Sequence, residues 1–120
     1  MRNQPKYNFF KNTSYALSGL VDLIRTEKSF QIELFIVLLL LPVLIFIEID
    51  IFNKLLMFIT LMGILIAEAI NSAIERVVDL VTLEHNEMAK RAKDVGSTIV
   101  FLSISLCVIV WLLELIYLIN

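Results

Sequence analysis

Residues 55–79 read LLMFITLMGILIAEAINSAIERVVD: an uncharged apolar run from Leu55 to Ala67 passes without a break into a segment carrying Glu68, Asn71, Ser72, Glu75 and Asp79. Relative to Glu68 the later polar residues stand at +3, +4, +7 and +11. At about 100° per residue these positions return to one face of an α-helix. Glu68, Asn71, Glu75 and Asp79 therefore form a polar stripe on a helix that is otherwise Ala, Ile and Val. A carboxylate placed deep in a bilayer costs about 2.5–3.5 kcal/mol on insertion scales, so such residues are normally paired, inward-facing and functional. A structural pairing of Glu75 with a base, or an interhelical hydrogen bond through Asn71, would account for one polar group. It does not account for a stripe that runs on into a basic loop.

Outward from this stretch, the chain of 120 residues is 59% hydrophobic, above the roughly half of soluble domains. Two further runs are long enough for the ~20 residues a bilayer needs. One becomes strongly apolar at Leu34 and contains Pro42, which membrane helices tolerate. The other, Val95 to Leu113, carries no charge. Upstream, Phe10, Leu17, Leu20, Val21 and Ile24 recur at helical spacing, with Lys11, Asn12, Ser18, Asp22 and Arg25 on the other face. The predicted organisation is a single all-α membrane domain over residues 1–120. It has an amphipathic surface helix over 1–28 and transmembrane helices over 30–49, 54–80 and 95–118. The N-terminal segment is too polar for a cleavable signal peptide. Cys107 is the single cysteine and lies in an apolar run, which suits inert packing.

Basic residues set the expected orientation. Arg2, Lys6, Lys11, Arg25 and Lys28 precede the first span, and Arg76, Lys90, Arg91 and Lys93 sit around the second connection. Only Lys54 lies in the first connection, beside Glu48 and Asp50. The positive-inside rule then places the N-terminus and second connection in the cytoplasm and the C-terminus outside, with Trp111 and Tyr117 toward the outer interface.

Carboxylates and an amide near the cytoplasmic surface suit a hard cation such as Mg²⁺. The adjoining segment offers Glu84, His85, Asn86, Lys90, Arg91, Lys93 and Asp94, with cations suited to an anionic nucleotide. Glu75 stands about 10 Å along the helix from Glu68, so metal and phosphates could sit near the first while a hydroxyl reaches the second. That arrangement suggests phosphoryl transfer. A single His leaves no zinc pair, and with only Gly19, Gly63 and Gly96 no P-loop or Gly-rich kinase loop can be written. Net charge is −2 with no basic block, so no nucleic-acid partner is expected.

The stretch Glu68–Asp79 (EAINSAIERVVD), the stretch His85–Gly96 (HNEMAKRAKDVG), and Tyr15, Gly19 and Arg25–Glu33 (RTEKSFQIE) upstream resemble the small prokaryotic integral-membrane diacylglycerol kinase family over nearly the whole chain. The resemblance implies a homotrimer of three-span subunits in the bacterial inner membrane, with active sites shared between neighbours. It also implies ATP as phosphoryl donor, Mg²⁺ as cofactor, and diacylglycerol as the lipid converted to phosphatidic acid. Glu68 would be the general base facing the lipid hydroxyl, and Glu27 and Glu75 the metal ligands. Tyr15, Glu27, Asn71, Glu75, Glu84, His85, Asn86, Lys93 and Asp94 match nucleotide-contacting positions. Ser29, Phe30, Gln31 and Glu33, with Glu68, match the lipid-receiving region, and Asn71 and Asp79 would organise the site. One departure is Asn8, where some members carry a basic residue. Competing readings are an undecaprenol kinase of the same family, an ion-conducting oligomer lined by the Glu68 stripe, and a non-catalytic assembly subunit packing through Ala69 and Ala73.

Overall fold

The computed structural model describes residues 3–120; Met1 and Arg2, which open the expected 1–28 segment and its basic cluster, lie outside the described residues. Four helices follow one another: α1 (Phe9–Thr26), α2 (Lys28–Phe46), α3 (Ile51–Val81) and α4 (Glu87–Ile119). Each start has a local cause. Asn8 caps α1 by accepting from Lys11 N at 3.1 Å, Asp50 caps α3 by accepting from Phe52 N at 2.9 Å, and Asn86 caps α4 by accepting from Ala89 N at 3.0 Å. Such side-chain oxygens satisfy amides that have no partner inside the helix.

The break between α1 and α2 is a single residue. Glu27 is extended (φ −103°, ψ 107°), and the chain resumes helix at Lys28. Gln31 Nε2 reaches back to the carbonyl of Ile24 at 2.8 Å, satisfying one free oxygen at the end of α1. At the far end of α2, Lys54 Nζ does the same for Ile45 O at 2.9 Å. Pro42 lies inside α2, which continues through it.

Helices α2, α3 and α4 are each long and apolar enough to cross a membrane, and the protein is an all-helical membrane protein. At 1.5 Å per residue α2 is about 28 Å long, close to a bilayer's hydrocarbon thickness, while α3 and α4 approach 50 Å. Their surplus length carries polar sequence: the apolar stretch expected over 95–118 is the later part of a helix that already begins at Glu87. The core sits away from the α1–α2 joint, where Val37 and Leu44 of α2, Met57 and Leu61 of α3, and Cys107 and Trp111 of α4 meet. Trp111 points inward, only 9% exposed, and its Nε1 donates to Met57 O at 3.3 Å. Tyr117 is exposed. Phe35, Leu39, Phe101, Leu102 and Leu113 face outward, a surface suited to lipid or to other copies rather than to water.

Candidate functional site

On α3 the polar stripe grades from buried to exposed. Glu68 (5% exposed), Asn71 and Ser72 are buried, Glu75 is half-buried and Asp79 is exposed. The i, i+3, i+4, i+7 spacing keeps these side chains on one face, and the helical rise sets them at successive positions along it.

Two other elements close around Glu68. From α2 Glu33 lies beside it, and Glu27 and Glu75 are near enough to act on it electrostatically. Asn71 Nδ2 donates to Glu75 Oε1 at 3.3 Å. Among the described residues two buried oxygens, Asn71 Oδ1 and Glu33 Oε2, have no hydrogen-bond partner. Orphaned buried acceptors are costly and call for an explanation, here a cation, a ligand donor or a neighbouring subunit. Gly96 of α4 packs directly against Asn71.

The joint itself is tied to α3 by Arg76. Its Nε and Nη2 donate to Glu27 Oε1 at 3.1 and 2.8 Å, Nη2 also donates to Thr26 Oγ1 at 3.1 Å, and Nη1 pairs with Asp22 Oδ2. Beside it a largely apolar groove of about 510 Å³ runs between α1 and α3, bordered by Gly19, Leu23, Phe30, Met62, Ala69 and Ser72.

Further along α3 a second recess of about 430 Å³ gathers Asp79, Glu84, His85, Asn86, Lys93 and Asp94. Lys93 Nζ donates to Asp79 Oδ1 at 2.7 Å and Lys90 Nζ to Asp94 Oδ2 at 2.7 Å. Lys93 precedes the third expected span, and its ammonium is held above its ordinary pKa, chiefly by the hydrogen bond to Asp79. Glu84 N donates to Thr82 Oγ1 at 3.1 Å, which shapes the turn between the helices.

The chain thus brings Glu27, Glu33, Glu68, Asn71 and Glu75 into one cluster, and Asp79, Glu84, His85, Asn86, Lys93 and Asp94 into another. Phe30 is buried beside the groove, whereas Ser29 and Gln31 are exposed on the first turn of α2. Tyr15 is 60% exposed on α1 and joins neither cluster. Sequence reasoning counted Arg76 only among the basic residues of the second connection, and gave Asp22 and Thr26 no place in the site. The available signal was an Arg directly after a stripe carboxylate, but its partners lie 49 to 54 residues away.

The donor set fits Mg²⁺. Among the described residues no three His, Cys, Asp or Glu side chains close on one point. Mg²⁺ does not require that, since one or two carboxylates with substrate phosphates and water normally complete its octahedron. Glu27, Glu75 and the unpartnered Asn71 Oδ1 are hard oxygen donors of that kind.

Comparison with known proteins adds a family. The family model for prokaryotic diacylglycerol kinase matches residues 14–115. A diacylglycerol kinase of Haemophilus influenzae is 34% identical over 104 residues, covering 87% of this chain and 88% of that protein. A diacylglycerol kinase of Escherichia coli K12 is 36% identical over 101 residues, 84% and 83% of the two chains. An undecaprenol kinase of Bacillus subtilis is 36% identical over 103 residues, again 84% and 83%.

Proposed function

The chain belongs to the prokaryotic diacylglycerol kinase family, and from that premise we propose that it transfers the γ-phosphate of ATP to the hydroxyl of diacylglycerol, giving phosphatidic acid. The observation that carries the proposal is Glu68. It is a buried carboxylate on a helix long and apolar enough to cross a membrane, flanked by further oxygen donors and adjoining a groove of apolar lining. A lipid whose chains occupy an apolar groove can present its hydroxyl to such a group without leaving the bilayer.

The chemistry asks for a base, a means of neutralising phosphate charge, and exclusion of water. Glu68 takes the proton of the lipid hydroxyl as its oxygen bonds to the γ-phosphorus. The bond from that phosphorus to the β-phosphate oxygen breaks, and ADP leaves. Such transfers depend mainly on positioning and electrostatics rather than covalent help from the protein. Glu27 and Glu75 would hold Mg²⁺, which would supply the charge neutralisation that the phosphates need during transfer. Asn71 orients Glu75 through its amide. Tyr15, Glu84, His85, Asn86, Lys93 and Asp94 would serve the nucleotide, with Asp79 fixing Lys93. Ser29, Phe30, Gln31 and Glu33 would receive the lipid. The assembly is a homotrimer in the inner membrane with α1 as an amphipathic surface helix, the N-terminus and active site cytoplasmic, and sites shared between subunits. The family resemblance, the distribution of Lys and Arg, and the outward apolar faces support that reading.

The undecaprenol kinase relative is as similar as the diacylglycerol kinases, so the lipid is the point to test. Purified protein in mixed micelles with Mg²⁺ and labelled ATP, offered both lipids together, should label diacylglycerol. The variant Glu68→Gln should bind nucleotide and lose turnover by about 100-fold or more, the usual contribution of a positioned base. Preferential labelling of undecaprenol would keep the mechanism and change the substrate. Labelling of neither lipid would overturn the assignment.

A further inference from the structure

Arg76 is the polar tie between α1 and α3 among the described residues, and one of its partners is the carboxylate assigned to the metal. Its guanidinium places one edge on Glu27 Oε1 and the other on Asp22 and Thr26 at the end of α1. Glu75, the other carboxylate assigned to the metal, is its neighbour in sequence. We propose that Arg76 stands in for the cation at Glu27 in the nucleotide-free chain, so that a divalent ion enters only when phosphates arrive with it. The proposal rests on Glu27 as a metal ligand.

The reason is charge. Arg76 takes only Oε1 of Glu27, so a cation could still reach Oε2, but the guanidinium already offsets the carboxylate's charge. A +2 ion bound there would also sit against the +1 charge of Arg76. Without Arg76, the Asp22, Glu27 and Glu75 carboxylates would form an uncompensated anionic patch at the joint, and free divalent ions would collect on it. With Arg76 in place, an ion alone must displace it or bind against its charge. An ion arriving with a polyphosphate brings its own negative charge and leaves Arg76 a choice of anions.

The contact is built to be given up. Arg76 is 47% exposed by side chain, Asp22 48% and Glu27 27%, and ion pairs that wet contribute little net stability. The Asp22 and Thr26 bonds can persist when Glu27 turns away, so α1 stays attached while the metal ligand is released. Coupling of this kind is reciprocal: whatever Arg76 costs the cation, the cation costs the Arg76–Glu27 contact.

The test is Mn²⁺ binding to the full-length, detergent-solubilised protein without nucleotide, read by electron paramagnetic resonance of the free ion. Arg76→Gln removes the charge while keeping an amide for Asp22 or Thr26, and it should bind Mn²⁺ about fivefold tighter or more than the parent, within the usual range of intersite coupling. Arg76→Lys keeps the charge and should stay within about twofold of the parent by the same reasoning. Adding Glu27→Gln should weaken Mn²⁺ binding and erase the gain from Arg76→Gln. Unchanged or weaker binding in Arg76→Gln, with Glu27→Gln still weakening the parent, would show that Arg76 only clips helices together and would overturn the proposal. If Glu27→Gln had no effect in either background, Glu27 would not be the metal ligand, and the proposal would fall with that assignment.

Discussion

A methyl group added at residue 96 would land on Asn71 Oδ1, because α4 approaches α3 there with only a hydrogen where other residues carry Cβ. The atom it meets is the end of a side chain, so Asn71 can swing aside, but it swings at the expense of its 3.3 Å bond to Glu75. Gly96→Ala should therefore separate stability from catalysis. Alanine in a helix is favoured over glycine by about 1 kcal/mol, which offsets much of the steric cost. The midpoint of denaturant unfolding should move little. The lost orientation of Glu75 amounts to about 1 kcal/mol, roughly a fivefold fall in kcat/KM for MgATP. A large loss of stability with undiminished activity in the folded fraction would mean that Asn71 does not position Glu75. In the sequence, the scarcity of glycine excludes a Gly-rich loop, and Gly19 and Gly96 count toward the family resemblance. The use of Gly96 as a point of close helix approach depends on a partner 25 positions away, which no local pattern announces.

At the scale of elements, the three crossing helices and the helix that precedes them have different supports. Trp111 joins α4 to α3 by its ring and by its Nε1 bond to Met57 O, a carbonyl that also accepts from Thr60 Oγ1 at 2.7 Å. Trp111→Phe removes ring volume and one donor but leaves that carbonyl a partner. It should destabilise the bundle by about 1–2 kcal/mol, seen as a lower unfolding midpoint, with KM for both substrates unchanged. A shifted KM would mean that the core and the active cluster are coupled. The crossing helices were legible because charge-free apolar runs leave few alternatives. The start of α4 was not, since residues 87–94 are polar and the span was drawn from apolarity; Asn86 is its cap, an oxygen already engaged by Ala89 N. Nor was the one-residue joint at Glu27, which has no Gly or Pro beside it. It is held by Gln31 from the first turn of α2 and by Arg76 from α3, far along the chain. The stripe from Glu68 to Asp79 was legible as one face because periodicity alone determines it. Periodicity does not bring Glu33 of α2 to Glu68, because helix packing determines that; in the sequence only the family resemblance pairs them.

At the scale of the whole molecule, the two clusters pose a question of stoichiometry. Glu68 and Asp79 are eleven positions apart on one helix, about 16 Å along its axis, and nothing in a single chain obliges the Glu68 cluster and the Lys93 recess to serve the same nucleotide. Both buried oxygens left unpartnered among the described residues, Glu33 Oε2 and Asn71 Oδ1, lie in the Glu68 cluster, and the outward faces of α2 and α4 are apolar. Both features suit a chain completed by its neighbours. If each site of the proposed homotrimer takes its base from one subunit and its Lys93 recess from another, Glu68→Gln and Lys93→Ala should complement each other. Either variant alone should be nearly inactive. Unfolding an equal mixture and refolding it together should restore about a quarter of parental activity, since a random closed assembly pairs an intact base with an intact recess at about that frequency. Separately refolded variants mixed afterwards should restore none, which excludes contamination. No recovery after joint refolding, with the mixed species shown to be trimeric by light scattering, would place base and recess on the same subunit. The trimer would then be a packing arrangement rather than part of the catalytic machinery.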